Sequence, residues 1–129
     1  MKVGIWITAN RMGANYVVGS ALQSSNRVSG HVRLKDASVN KTALSALRDA
    51  LGRFHAPAEI ELYTDNRFLR DNFHNIPKWQ QQGWKRSNGY QVKFSDLWQQ
   101  VDTLSNIHQM TVFDINKPKE EKEVETGTI

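Results

Sequence analysis

The stretch from Glu59 to Trp98, EIELYTDNRFLRDNFHNIPKWQQQGWKRSNGYQVKFSDLW, decides the fold of this chain. Its first residues, Glu59 to Thr64, predict a buried strand that ends beside the carboxylate of Asp65. A helical pattern follows and then a segment that is basic and rich in tryptophan. The apolar face of the helical part, which we expect to end before Pro77, is formed by Phe68, Leu69, Phe73 and Ile76.

The residues before this stretch predict three strands and a helix. The β-branched and aromatic segments KVGIWITA (2–9), NYVVGSALQS (15–24) and VSGHVRLK (28–35) are typical of strands, and turn residues separate them. Three consecutive strands predict an antiparallel meander. A helix should then begin at an N-cap of Ser38 or Asn40 and stop at His55-Ala56-Pro57. Its apolar residues are Leu44, Leu47, Leu51 and Phe54.

The strand at Glu59 to Thr64 lies between two helical patterns, which predicts parallel pairing with the first strand. A further helix is predicted to open near Ser95-Asp96, with Ser95 as its N-cap and Asp96 in its first turn, and Met110 to Ile115 predicts a fifth strand. The predicted fold class is therefore α/β, a five-stranded mixed sheet flanked by helices. We expect one domain over residues 1–116 and a charged C-terminal tail over 117–129.

The composition is that of an ordinary globular chain, with 39% hydrophobic and 23% charged residues. No apolar run approaches the roughly 20 residues that cross a bilayer, and no signal-peptide pattern is present. We therefore expect a cytoplasmic location and no membrane partner. The chain has no cysteine, which excludes disulfides, thiolate catalysis and thiolate metal ligands.

The basic residues are clustered. A net charge of +4 favours a polyanionic partner such as nucleic acid only where the charge is concentrated. The tail from Lys117 holds three lysines and four glutamates, so the excess lies in the body of the chain. Residues 78–93, called the handle below, carry four cations and no acidic residue. These cations are Lys78, Lys85, Arg86 and Lys93.

Three motifs in one order resemble the ribonuclease H family over about residues 2–116. They are Thr64-Asp65, the W-x-x-x-G-W pattern of Trp79 to Trp84, and the V-K-x-x-D-L-W pattern of Val92 to Trp98. The resemblance implies a ribonuclease H-like fold in which the basic handle grips the nucleic-acid backbone. The candidate nucleic-acid-binding residues are Lys78, Trp84, Lys85, Arg86, Tyr90 and Lys93.

The resemblance also implies four carboxylates, and only Asp65 matches one of them. The family has an aspartate at the end of the first strand, where this chain has Ala9 or Thr8. It has a glutamate early in the first helix, where this chain has Ala43. The fourth carboxylate belongs to a helix after the last strand. Here the sequence reads KPKEEKEVETGTI, which predicts a truncated C-terminal helix.

This loss bears on the metal chemistry. Phosphodiester hydrolysis on the ribonuclease H scaffold uses two Mg²⁺ about 4 Å apart, and each ion needs several oxygen ligands. Asp65 is the single candidate catalytic and metal-binding residue, and one carboxylate does not hold such a pair. Glu61, Asp114 or the tail glutamates are candidates for a rebuilt site, although Glu61 fits an ion pair with a lysine or arginine better. We expect no cofactor, with Mg²⁺ or Mn²⁺ bound only if the protein is active.

Three functions stay open. The favoured one is a catalytically degenerate domain that binds RNA·DNA hybrid or duplex through the handle, because the handle is kept while carboxylates are lost. The second is an active, metal-dependent RNA·DNA hybrid ribonuclease with a non-standard site around Asp65. The third is a protein-interaction or inhibitory module that uses the sheet edge or the handle. Trp79 and Trp84 have a structural interpretation as well, in which they brace the handle.

Overall fold

A computed structural model describes residues 2–20 and 26–117. They form one mixed sheet of five strands in the order β3-β2-β1-β4-β5, with helices packed against it, so the predicted fold class is confirmed. The strands are β1 (Lys2–Asn10), β2 (Gly13–Gly19), β3 (Val28–Val32), β4 (Glu59–Thr64) and β5 (Gln109–Asp114). The helices are α1 (Val39–Leu51), α2 (Arg67–Asn72), α3 (Ile76–Gln81) and α4 (Ser95–Ser105). Residues 21–24 of the second predicted strand, and the predicted tail and truncated helix beyond Lys117, lie outside the described residues.

The pairing of the strands sets the position of the candidate site. β1 pairs antiparallel with β2, and β2 with β3, which confirms the predicted meander. β4 pairs in parallel with β1 and β5, so that Thr64 lies between Ile7 and Asp114. The carboxyl ends of β1, β4 and β5 therefore meet at one end of the sheet, and in open α/β sheets this is where ligands bind.

α1 begins where the sequence predicts and ends earlier. Ser38 is the N-cap, and its Oγ accepts a hydrogen bond from the N–H of Lys41 at 3.1 Å. The predicted stop at His55-Ala56-Pro57 is wrong, because the helix ends at Leu51 and Gly52, a poor helix former, is its C-cap. Phe54 lies beyond the helix, and its ring packs edge-on against His108 with centroids 5.0 Å apart.

The helix predicted to end before Pro77 is two helices. α2 ends at Asn72, a 3-10 turn spans Phe73–Asn75, and α3 begins at Ile76. Pro77 lies in the first turn of α3, where its missing N–H would have no acceptor within the helix. The proline therefore starts a helix as well as excluding the continuation of the previous one.

The start of α4 and the ends of β5 also differ from the prediction. The N-cap of α4 is Phe94, which has a left-handed backbone with φ of 59°, and Ser95 is the first helical residue. β5 begins one residue early at Gln109, because its N–H donates to the carbonyl oxygen of Ala58 at 3.1 Å and extends the ladder. It ends at Asp114, so the predicted final residue, Ile115, lies just outside it.

The core lies between the helices and one face of the sheet. The fully buried side chains Ile5 and Leu62 of the sheet belong to one cluster with Leu47 of α1 and Val101 of α4. The opposite face carries a row of stacked rings, which are Trp6, Tyr63 and Phe113. In the described part of the chain, no helix has the length and apolar character needed to cross a membrane.

Candidate nucleic-acid interface

Asp65 joins the ends of two strands. It follows β4 directly and is exposed. Its N–H donates to the carbonyl oxygen of Ile7 at 3.4 Å, and its Oδ1 accepts a hydrogen bond from the N–H of Ala9 at 3.2 Å. One carboxylate oxygen of Asp65 is therefore engaged by the backbone of β1, so the side chain ties β1 to β4.

The two positions where the resemblance implies further carboxylates hold alanine and are packed. Ala9 lies near the end of β1 and packs against the core, and Ala43 in α1 is 0% exposed. Thr8, the alternative to Ala9, is exposed and offers only a hydroxyl group. The carboxyl ends of the strands and the adjoining helix therefore contribute one of the three carboxylates that the resemblance implies for them.

Two asparagines join α1 to the start of α2 beside Asp65. The Nδ2 of Asn66 donates to the Oδ1 of Asn40 at 3.1 Å, and its Oδ1 caps α2 by accepting from the N–H of Leu69 at 2.9 Å. Asn66 is 8% exposed, so this contact is largely shielded from water. The side chains that connect α1 and α2 next to Asp65 are thus neutral amides.

Two candidates for a rebuilt metal site, Glu61 and Asp114, form ion pairs with basic side chains, and the tail glutamates lie outside the described residues. The Oε2 of Glu61 lies 3.8 Å from the Nζ of Lys2, which confirms the predicted ion pair. The Oδ2 of Asp114 lies 3.0 Å from the Nη1 of Arg70. Within residues 2–20 and 26–117, no three His, Asp or Glu side chains are grouped so that they could hold a metal ion. The residues of the described site do not fit a pair of divalent cations.

The first residues of the handle form the C-terminal part of α3. The N–H of Trp84 donates to the carbonyl oxygen of Trp79 at 2.7 Å, and the N–H of Gly83 donates to that of Gln80 at 3.3 Å. Gly83 is left-handed, with φ of 66°. These two bonds around a left-handed glycine are the Schellman motif, in which the residue after the glycine often contacts the helix residue that accepts its hydrogen bond. The W-x-x-x-G-W pattern therefore encodes a helix end.

The two tryptophans of that motif pack together, as their structural interpretation predicts. The ring centroids of Trp79 and Trp84 are 6.2 Å apart, and Trp79 packs edge-on against Trp98 at 5.4 Å. Trp98 is 0% exposed. The indole of Trp84 is half-buried, so its main contact is with the protein itself.

Beyond Trp84 the handle is a short hairpin. Lys85 and Gln91 form an antiparallel bridge, and the N–H of Arg86 donates to the carbonyl oxygen of Tyr90 at 2.7 Å. Gly89 makes the turn, with φ of 88°. Tyr90 is 69% exposed, and the handle cations Lys78, Lys85, Arg86 and Lys93 are all exposed. The fold thus presents five of the six predicted binding side chains to solvent, and Tyr90 is better placed than Trp84 to contact a ligand.

Four further cations surround the N-terminal turn of α1. Lys41 lines a depression with Gln91 and Phe94, next to the handle. A cleft of about 670 Å³ beside the same turn includes Arg11, Arg33 and Lys35 among its lining residues. These residues were not predicted from the sequence because Arg11 is distant in sequence from the other three and Asp36 lies among them. The available signal was that Arg11, Arg33 and Lys35 lie in the connections β1–β2 and β3–α1, which the topology brings to one end of the sheet beside the first turn of α1.

Comparisons with known proteins agree with this architecture. The family profile described as RNase H matches residues 7–117. The Ribonuclease H of Acetivibrio thermocellus is 41% identical over 78 residues, which are 59% of this chain and 53% of that protein. The Ribonuclease H of Cupriavidus necator is 33% identical over 73 residues, which are 56% of this chain and 50% of that protein. The chain spans about half the length of these curated relatives.

Solved structures show the same fold. LC9-RNase H1, described as a type 1 RNase H with the type 2 active-site motif, superposes with a TM-score of 0.66 at 18% identity over 98% of this chain and 69% of its own. A foamy viral protease-reverse transcriptase in complex with RNA/DNA hybrid gives 0.65 at 14% identity over 95% of this chain and 18% of its own. Since the family profile also covers most of the sequence, the chain belongs to the ribonuclease H family.

Proposed function

We propose that this chain binds RNA·DNA hybrid or duplex nucleic acid through the handle and does not cleave it. The observation that carries the proposal is the contrast between two surfaces. The handle presents four exposed cations with no acidic residue among them, whereas the end of the sheet presents Asp65 beside Ala9 and the buried Ala43.

The binding part of the proposal rests on charge and exposure. Lys and Arg side chains that reach phosphates supply most of the sequence-independent affinity for nucleic acid. Lys85 and Arg86 lie on the hairpin that follows α3, and Lys78 lies in α3 itself. Lys41 lines a depression next to the handle that Asp96 also lines. The foamy viral protease-reverse transcriptase of similar fold has been solved with RNA/DNA hybrid and with dsDNA, which supports these ligands for this chain.

The non-cleaving part of the proposal rests on the ligand count. A two-metal site needs several carboxylate oxygens converging on both ions. The Oδ1 of Asp65 accepts a hydrogen bond from the N–H of Ala9, and the carboxylate of Asp114 forms an ion pair with Arg70. We infer that this chain has kept the nucleic-acid-binding function of the scaffold and has lost its cleavage activity.

An active hybrid ribonuclease is the second candidate, because the curated relatives are named Ribonuclease H. Asp65 would be its metal ligand and Mg²⁺ or Mn²⁺ its cofactor. The third function, a protein-interaction module, stays a prediction for the case in which nucleic acid does not bind.

One experiment separates these functions. Labelled RNA·DNA hybrid is incubated with the protein in Mg²⁺ and then in Mn²⁺, and binding of the same hybrid is measured on the same preparation. We expect binding without cleavage in both metals. Metal-dependent cleavage that disappears in Asp65→Asn would overturn the proposal in favour of the enzyme, and absence of binding at low salt would favour the interaction module.

A further inference from the structure

Both ends of the handle hairpin are made by aromatic residues with an unusual backbone. Trp84 enters the hairpin with φ of 63°, and Phe94, directly after the handle, has φ of 59°. Left-handed backbone is uncommon for residues other than glycine and is an outlier for bulky ones. Bulky residues therefore hold these positions only if their side chains provide something that glycine does not.

The side chains of both residues lead to the same buried ring. Trp84 packs on Trp79, and Trp79 packs on Trp98 with centroids 5.4 Å apart. Phe94 packs on Phe68 at 6.0 Å, and Phe68 packs on Trp98 at 5.9 Å. The entry and the exit of the hairpin are thus each one ring away from Trp98, which is fully buried in the core.

One backbone hydrogen bond closes the base of the hairpin at Trp84, and another closes the turn that contains Phe94. The N–H of Val92 donates to the carbonyl oxygen of Trp84 at 2.9 Å, and the N–H of Ser95 donates to that of Val92 at 3.0 Å. The Nζ of Lys93 lies 5.2 Å from the centroid of the Phe94 ring. The ring of Phe94 therefore also orients Lys93, one of the handle cations.

We infer that Trp84 and Phe94 are positioning residues that form an aromatic clamp and hold the handle in one arrangement before the ligand arrives. This inference rests on the proposed function, since its purpose is to present Lys85, Arg86 and Lys93 to phosphates. A preorganised binding surface gains affinity because it has less freedom to lose on binding. The number of phosphate contacts, which sets the salt dependence, does not change.

The test uses two measurements on Trp84→Ala, Trp84→Phe and Phe94→Leu. The first is the rate at which trypsin cuts after Lys85 and Arg86 in the free protein, followed by mass spectrometry, which reports how often the handle opens. The second is the affinity for labelled hybrid across several salt concentrations. Tyr90→Ala is the control for the cutting assay only, because it removes an exposed aromatic side chain from the same hairpin and Tyr90 is itself a candidate ligand contact.

We expect Trp84→Ala and Phe94→Leu to speed tryptic cutting at the handle by about tenfold and to weaken binding by about tenfold at every salt concentration, with the slope unchanged. Trp84→Phe should restore both values toward those of the parent, and Tyr90→Ala should leave the cutting rate unchanged. Circular dichroism checks that each variant is folded.

Two results decide against the clamp. Weaker binding by Trp84→Ala with an unchanged cutting rate would mean that the indole contacts the ligand directly. Unchanged cutting in both Trp84→Ala and Phe94→Leu would mean that neither residue holds the handle. Because the cutting assay needs no nucleic acid, it tests the clamp even if the parent fails to bind, a failure that would overturn the proposed function alone.

Discussion

Removal of two cations from the handle hairpin should change the salt dependence of nucleic-acid binding by a countable amount. The change is Lys85→Gln together with Arg86→Gln. Both residues are exposed, and the hairpin contacts that they make, the bridge to Gln91 and the bond from Arg86 to Tyr90, use backbone atoms. The charges can therefore be removed while the hairpin is kept.

The expected magnitude follows from the number of phosphate contacts. If three of the four handle cations contact phosphates, the logarithm of the binding constant should fall against the logarithm of the salt concentration with a slope of roughly −2.7. Loss of two contacts should bring the slope to roughly −0.9, equally for different sequences, because phosphate contacts carry no sequence information. The free energy of unfolding should change by less than about 1 kcal/mol, since the side chains are exposed.

The assay is fluorescence anisotropy of labelled hybrid and labelled DNA duplex at several salt concentrations. The control is Arg48→Gln with Arg53→Gln, which removes the same charge near the C-terminal end of α1. Because Arg48 donates to Gln100 and Arg53 donates to Tyr16, the free energy of unfolding of this variant is measured as well. We expect the control to keep the slope of the parent. The reasoning is refuted if the hairpin variant also keeps that slope, or if both variants flatten it equally, since the effect would then follow net charge.

Three other outcomes are expected. Burial lowers the pKa of His108, whose Nδ1 accepts a hydrogen bond from the N–H of Ala58. The neutral imidazole is therefore favoured in the folded protein, so the contribution of His108 to stability should be full above about pH 6.5 and should decline below it. Urea unfolding of the parent and of His108→Asn at pH about 7.5 and about 5.5 checks this. Ala43→Glu should destabilise the fold by about 2–4 kcal/mol, because Ala43 is 0% exposed. The double variant Ala9→Asp with Ala43→Glu should not restore hybrid cleavage to the level of an active ribonuclease H. Binding of hybrid in EDTA should equal binding in Mg²⁺ at matched ionic strength, as anisotropy titrations would show.

The strands were the most predictable part of the fold. β4 has the predicted bounds, and β1 differs by one residue, because alternation and flanking turn residues act locally. The other two strands of the meander were less accurate, since β2 runs from Gly13 to Gly19 against a prediction of 15–24, and β3 ends at Val32 against a prediction of 28–35. The errors at Pro77 and Phe94 have a different origin. Proline is compatible with the start of a helix as well as with its end, and the left-handed Phe94 is held by a ring contact with Phe68, which lies far from it in the sequence. Such tertiary contacts leave no local pattern.

The individual residues of the candidate site could be predicted from the sequence, but the contacts between them could not. Asp65 follows from the strand before it, and the loss at Ala9 and Ala43 follows from the resemblance. The hydrogen bond from the N–H of Ala9 to Asp65 joins residues 56 positions apart, and it becomes visible only when β1 and β4 are paired. Arg11 and Arg33, which line one cleft beside α1, likewise come together only through the sheet topology.

The surface proposed for binding and the carboxylate position of the family's chemistry lie in separate parts of this fold. The handle is anchored to Trp98 through tilted and edge-on ring contacts, whereas Asp65 is held by the ends of β1 and β4, so a change at one place leaves the contacts of the other intact. Carboxylates at the end of the sheet would repel phosphates unless bound cations neutralised them. With alanine at positions 9 and 43, Asp65 is the one carboxylate present among the three positions that the resemblance implies for this end of the sheet. If the chain binds nucleic acid as proposed, fewer carboxylates there mean less repulsion of phosphates, so binding has less need of a metal ion to offset it.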